Sequence, residues 1–135
     1  MRYRVSMKPG IHNFLFLVII FLLSLSVNAN PIEGNLVEIK ILDKITARVE
    51  TVEINVNDHF LIDSLKLEIY ACYKNPPEEI PENFVLLKIY DNINNKLENK
   101  LIYQGWMISS SPASTPLEHP IYDLWLKDCK VNMVF

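Results

Sequence analysis

The sequence predicts a small all-β protein, an antiparallel β-sandwich or a partly open barrel, formed by residues 30–135 as a single domain. Apolar and polar residues alternate with period two along this region, and no stretch of it keeps a 3.6-residue apolar period for the length of a helix. Segments with turn-forming residues separate the alternating runs. Seven or so short strands connected in this way must pack as two sheets or curl into a barrel to bury their apolar faces.

Residues 1–29 have the pattern of a cleaved signal peptide. A basic start, with Arg2, Arg4 and Lys8, precedes an apolar run of 14 residues, 14–27. That run is shorter than the roughly 20 residues of a membrane-spanning helix, and Val27 and Ala29 stand where a signal peptidase requires small side chains. We therefore expect cleavage after Ala29, a periplasmic or secreted protein, and no stable membrane insertion after cleavage.

Cleavage of the leader changes the net charge of the protein, which limits the partners it can bind. The mature chain loses three of the 13 basic residues and none of the 16 acidic ones, which leaves a formal charge of −6. A surface of that sign repels phosphate backbones and anionic lipid head groups, so we expect no nucleic-acid partner. No glycine-rich phosphate loop is visible, and no cofactor is predicted.

The first half of the mature chain predicts three strands. Residues 36–42 and 52–56 alternate, and between them the phase slips at Glu50 and Thr51, which predicts a β-bulge. The clearest strand is residues 64–73. Its predicted core face carries Leu65, Leu67, Ile69 and Ala71, and its outer face carries Lys66, Glu68, Tyr70 and Cys72.

The second half predicts a hairpin and a final strand. Residues 84–91 and 101–108 pair across the polar tip 92–100, which has the residue types of a turn. Residues 121–129 form the last strand, with Leu124 and Leu126 on the core face. The opposite face of that strand carries Asp123, Trp125, Lys127 and Cys129.

Cys72 and Cys129 are predicted to form a disulfide, because an even number of cysteines in a small exported domain is usually paired. The bridge closes a loop of 57 residues and is worth roughly 4 kcal/mol on the chain-entropy model. Both cysteines fall on the more polar strand faces, so we expect the bridge outside the main core. The alternative, a reactive or metal-binding pair, lacks CxxC spacing and a neighbouring histidine.

Two loops interrupt the pattern. Residues 74–82 contain three prolines and the carboxylates of Glu78, Glu79 and Glu82, which predicts a stiff, solvated loop; a cation site there lacks the ordered oxygen spacing of a calcium loop. Residues 109–120, the serine-proline loop, contain Pro112, Pro116 and Pro120. Ordered loops of that length are more often functional than decorative.

Four stretches, 42–49, 71–79, 105–113 and 117–129, resemble a family of small exported alphaproteobacterial proteins known as a domain of unknown function, close to DUF 2155. The most specific is the last, Leu-Glu-His-Pro-Ile-Tyr-Asp-Leu-Trp-Leu-Lys-Asp-Cys. The resemblance implies export and the cysteine pair. It implies no activity, but it draws attention to the serine-proline loop and its Glu-His-Pro turn.

We predict that this loop and its flank bind a partner, an envelope protein or a glycan, with aromatic side chains nearby as a stacking platform. The predicted binding residues are Ser109, Ser110, Ser111, Leu117, Glu118, His119, Tyr122 and Asp123. The alternative is a small hydrolase in which His119 activates a neighbouring serine and a carboxylate orients the ring. No Gly-x-Ser-x-Gly elbow is present, so we predict a structural role for His119, no catalytic residue and no metal site.

Overall fold

The computed structural model describes residues 9–23, 30–92, 99–114 and 117–131. Helix α1 spans Pro9–Leu23, and a single 3-10 turn spans Pro112–Ser114. The strands within the described residues are β1 (Ile32–Glu33), β2 (Leu36–Asp43), β3 (Arg48–Asn55), β4 (His59–Ile62), β5 (Leu65–Lys74), β6 (Asn83–Asp91), β7 (Lys100–Ile108) and β8 (Tyr122–Lys130). Most of the predicted hairpin tip, Pro116 and the predicted cleavage site at Ala29 lie outside the described residues.

Helix α1 lies within the predicted leader and is 15 residues long. The apolar side chains from Phe14 to Ile20 are solvent-exposed; Phe14, for example, is 69% exposed. In the part of the chain that the structure describes, no helix is both long and apolar enough to cross a membrane.

The strands form two antiparallel sheets that face one another, which confirms the predicted all-β, sandwich-like fold. In the larger sheet β5, β6 and β7 follow in order, and β1 and β4 both pair with the free edge of β5. In the smaller sheet β2 lies between β3 and β8. The predicted pairing of residues 84–91 with 101–108 is confirmed by the ladder between β6 and β7.

The core lies between the sheets and consists of the inward-facing positions of each strand. Leu65, Leu67, Ile69, Leu124 and Leu126 were predicted there, and all of them are 5% exposed or less. Burial of each such side chain stabilises the fold by about 1.5–3 kcal/mol. Alternation alone therefore identified the central residues of the core.

The disulfide between Cys72 and Cys129 is confirmed, with the two Cα atoms 5.9 Å apart, but its predicted place outside the core is wrong. Both cysteines are fully buried. A β-bulge precedes each of them: Tyr70 is an extra residue in β5 opposite β6, and Lys127 is an extra residue in β8 opposite β2. An extra residue reverses the alternation beyond it, so both cysteines turn from the polar face to the core.

Gly34 packs directly against this disulfide. A Cβ atom at position 34 would overlap Cys129 Sγ and lie 3.0 Å from Cys72 Sγ. The Gly34 amide donates to the Cys72 carbonyl at 2.9 Å, which fixes the chain at this close distance. Position 34 thus requires a residue with no side chain, because the backbone itself covers the bridge.

The predicted bulge at Glu50 and Thr51 is wrong, because β2 and β3 pair without a register shift from Asp43 and Arg48 onward. The slip in phase has another cause, a tight turn at residues 44–47. The Asp43 carboxylate accepts hydrogen bonds from the Ile45 and Thr46 amides, at 2.8 and 3.1 Å, and Ala47 has a φ of 56°. Ile45 and Ala47, which alternate with Val49, belong to this turn, and Val49 is already in β3.

Candidate functional site

Glu82, the last residue before β6, holds the beginning of the serine-proline loop. Its Oε1 accepts hydrogen bonds from the Ser109 hydroxyl at 2.8 Å and the Ser110 amide at 3.0 Å, and its Oε2 accepts one from the Ser110 hydroxyl. Burial of the carboxyl opposes ionisation, but the hydrogen bonds from Ser110 and Ser109 outweigh that effect and lower the pKa of Glu82. An ionised carboxylate therefore clamps this end of the loop to the larger sheet.

The clamped segment forms one wall of a groove of about 580 Å³, which we call the loop groove. Ser109, Ser110 and Pro112 line that wall, and Pro81 adds to it. The floor is the outer face of the smaller sheet, with Lys40 of β2, Val49 of β3 and Trp125 of β8. Val49, the second residue of the edge strand β3, is 55% exposed and offers an apolar contact to a ligand.

The other end of the loop is buried and organised by His119. The backbone amides of Ile121 and Tyr122 donate to His119 Nδ1, at 3.2 and 3.0 Å. Because a backbone amide can only donate, Nδ1 bears a lone pair and the ring proton is on Nε2. His119 Nε2 lies 3.2 Å from Asp91 Oδ2, so this proton faces the carboxylate. The imidazole ring stacks on the ring of Tyr122, and the two ring centroids are 5.4 Å apart.

Tyr122 extends this buried network to the edge of the larger sheet. Its hydroxyl donates to Asp63 Oδ2, and this hydrogen bond, reinforced by burial, raises the pKa of Tyr122 to about 12. Asp63 itself has a φ of 45°, in the turn between β4 and β5. The tyrosine therefore stays protonated and acts as a structural donor.

The two ends of the loop are attached to opposite ends of one strand. Glu82 immediately precedes β6, and Asp91 is the last of its nine residues. Nine residues of strand extend over roughly 30 Å. The serines at Glu82 and the imidazole at Asp91 are thus held far beyond hydrogen-bonding distance from one another.

A family model described as "Uncharacterized protein conserved in bacteria (DUF2155)" matches residues 37–129. The chain belongs to this family. The uncharacterized protein RP359 of Rickettsia prowazekii (strain Madrid E) is 33% identical over 88 residues, which are 65% of this chain and 56% of that protein. The match thus spans a little over half the length of that relative. No solved structure matches the chain.

The DUF2155 match confirms the resemblance that the sequence motifs indicated. The matched region runs from β2 to the second cysteine and includes the disulfide, Glu82, Asp91 and the whole serine-proline loop. Gly34 and the predicted leader lie outside it. The features that define the two ends of the loop therefore belong to the part of the chain that the family shares.

The structure divides the predicted binding residues between the two ends. Ser109 and Ser110 lie in the loop groove, and Ser111 follows them. Leu117, His119 and Tyr122 are 5% exposed or less and cannot touch a partner in this conformation. Glu118 is exposed, and Asp123 forms an ion pair with Lys44 at 3.5 Å.

The residues of this arrangement that were not predicted as site residues include Lys40, Asp91 and Glu82. Lys40 carried no signal beyond its place in an alternating strand. Asp91 was assigned only to a strand, and Glu82 only to the acidic loop, because their contacts with the serine-proline loop connect residues 27 and 28 positions apart. A carboxylate at each end of a strand is the one sequence pattern that could have indicated two anchors.

Proposed function

We propose that this chain is an exported, non-enzymatic binding module of the bacterial envelope that holds a protein or glycan partner in the loop groove. The observation that carries the proposal is the clamped wall of residues 109–112, which stands over an exposed sheet face containing Trp125 and Val49. Proline and the Glu82 clamp reduce the conformations that this wall loses when a partner binds. A preformed groove with an aromatic floor is a common form of binding site.

The leader supports export to the envelope. Cleavage after Ala29 leaves Asn30 as the first residue, two positions before β1 begins, so all described strands remain in the mature protein. The mass of the protein recovered from the envelope tests this step. A species beginning at Asn30 is expected, and an intact chain held in the inner membrane contradicts it.

The geometry of His119 favours binding over the hydrolase alternative. Both ring nitrogens are already hydrogen-bonded, to Asp91 and to two backbone amides. The hydroxyls of Ser109 and Ser110 donate to Glu82, at the other end of β6. A serine nucleophile requires a histidine within hydrogen-bonding reach, and neither of these serines meets that requirement.

The test is site-specific photocrosslinking in the native envelope. A photoreactive amino acid replaces Val49 in the groove or, as a matched control, Leu61, which is 64% exposed on β4 of the other sheet. We expect an adduct of defined mass from position 49 and none from position 61, and we expect Trp125→Ala to abolish it. Equal capture from both positions, or none from position 49, overturns the groove as the binding surface.

A further inference from the structure

The floor of the loop groove pairs a cation with an aromatic ring. Lys40 of β2 lies directly opposite Trp125 of β8 in the antiparallel ladder, and both line the groove. Side chains opposite one another in such a ladder have Cβ atoms about 5 Å apart. A ligand that stacks on the indole ring therefore has its edge next to the Lys40 ammonium.

Among the described lysines on this face, Lys40 is the one whose positive charge has no ion-pair partner. Its neighbours are neutralised: Lys127 bonds Glu38 at 2.6 Å, and Lys44 pairs with Asp123 at 3.5 Å. The ammonium of Lys40 forms no ion pair with any residue in the described ranges. An anionic group on the ligand therefore matches the groove at this point.

The wall above this floor has the reverse requirement. The Ser110 hydroxyl donates its proton to Glu82, so Ser110 Oγ presents only acceptor lone pairs to the groove. A ligand must bring O–H or N–H donors to this wall. Trp125 and Val49 on the floor and Pro112 on the wall offer an apolar surface suited to a flat ring.

We propose that the loop groove binds an acidic sugar, a pyranose ring that carries a carboxylate. The ring stacks on Trp125, its carboxylate faces Lys40, and its hydroxyls donate to Ser110. An acidic peptide lacks the flat ring face, and a neutral sugar leaves Lys40 unmatched. This inference rests on the proposed function, because it names the ligand class of the same groove.

The net negative charge of the mature chain opposes an anionic ligand only weakly at this distance. At physiological salt the Debye length is about 8 Å, so charges elsewhere on the surface are largely screened and Lys40 acts locally. Increasing the salt concentration screens Lys40 as well. We therefore expect binding that weakens with salt.

The test is a fluorescence titration with defined probes. Trp106→Phe leaves Trp125 as the single tryptophan of the chain, and in this background we titrate tetragalacturonate, the neutral maltotetraose and the acidic peptide tetraglutamate. Tetragalacturonate is expected to change Trp125 emission with saturation and to bind at least about tenfold more tightly than either control. Lys40→Met should weaken it about tenfold, since a charge-assisted hydrogen bond is lost. The matched lysine variant on the other sheet, Lys88→Met, should leave it unchanged.

Each other outcome overturns the inference in a distinguishable way. If tetraglutamate binds as tightly as tetragalacturonate and depends equally on Lys40, the groove binds acidic peptides. The proposed function then stands, but the acidic sugar is rejected as its ligand. If maltotetraose binds as tightly as tetragalacturonate, or if Lys40→Met has no effect, the groove does not recognise a carboxylate and the acidic sugar is rejected. No response to any of the three probes rejects the acidic sugar, whereas crosslinking from position 49 decides the proposed function independently.

Discussion

The two halves of the serine-proline loop each contain a proline, Pro112 in one and Pro120 in the other, and differ in what they do. The contact half, residues 109–114, is clamped at the surface by Glu82 and lines the loop groove. The anchor half, residues 117–120 together with the adjoining Ile121 and Tyr122, is organised around the buried His119 and Asp91. Serine, histidine and carboxylate residues close together in sequence therefore do not form a site here, because β6 holds the two halves at its opposite ends.

The difference follows from the hydrogen-bond donors that need an acceptor at each end of β6. At the Asp91 end the chain enters β8, and two buried amides need an acceptor, which His119 Nδ1 supplies. At the Glu82 end the donors are exposed hydroxyls and an amide that water could also satisfy. Mutations in the anchor half should therefore affect stability, and mutations in the contact half should affect binding.

The largest expected effect is that of His119→Ala. The variant leaves the buried Asp91 carboxylate without its hydrogen-bond donor and two amides without their acceptor. Each buried polar group left unsatisfied costs about 1–3 kcal/mol, so we expect a total loss of about 3–5 kcal/mol. Denaturant unfolding measures the loss. Glu118→Ala, at the exposed neighbouring position, should change stability by less than about 0.5 kcal/mol. Similar values for the two variants would remove the distinction between the halves.

Gly34→Ala tests how closely the backbone packs on the disulfide. The bridge lies near the Glu82 end of β6, because the Cys129 amide donates to the side chain of Asn83, the first residue of that strand. The new methyl group overlaps the disulfide, and we expect a loss of about 1–3 kcal/mol in the free energy of unfolding. The same substitution in a Cys72→Ala, Cys129→Ala background no longer meets either sulfur and should cost less, with only the Lys130 carbonyl oxygen, 2.9 Å from the new methyl group, still to be accommodated. An equal loss in both backgrounds contradicts the close packing of Gly34 on the bridge.

Acidification should release the contact half from its Glu82 clamp. The pKa of Glu82 is lowered in the folded protein, so its stabilisation is complete above the unfolded value near about 4.3 and disappears as the pH falls through the folded pKa. We follow this release by Trp125 fluorescence as the pH falls from about 6 to about 3 in the Trp106→Phe background. Glu82→Gln should abolish this transition, and a transition that persists in that variant assigns it to another group.

The smallest expected effect is that of Pro112→Ala. Because the prolyl ring restricts the unfolded chain, its loss should lower stability by at most about 1 kcal/mol. Binding in the groove should weaken modestly for the same reason, since the wall becomes less preorganised. Pro31→Ala, directly before β1, controls for the general effect of removing a proline. Equal losses of binding in both variants would show that the wall is not specifically preorganised.

Alternation predicted β2, part of β3, β5 to β8 and the central core, because side chains at Leu65 or Leu124 follow the local pleat; the short strands β1 and β4 were not predicted. It failed at Cys72 and Cys129, because Tyr70 and Lys127 are ordinary strand residues and nothing in their type marks a bulge. The structural role predicted for His119 agrees with its burial, but its partner Asp91 could not be predicted. That contact depends on the lengths of the strands, which bring residues 28 positions apart to the same end of the sandwich.

Native-state hydrogen exchange of three amides tests the division of the loop most directly. The Ile121 and Tyr122 amides donate to buried His119, and the Ser110 amide donates to Glu82 at the surface. We expect Ile121 and Tyr122 to exchange only with global unfolding and Ser110 to exchange through local opening at a much lower free energy. Comparable protection of all three amides would contradict the account, because the loop would then be a single unit and not an anchor joined to a contact surface.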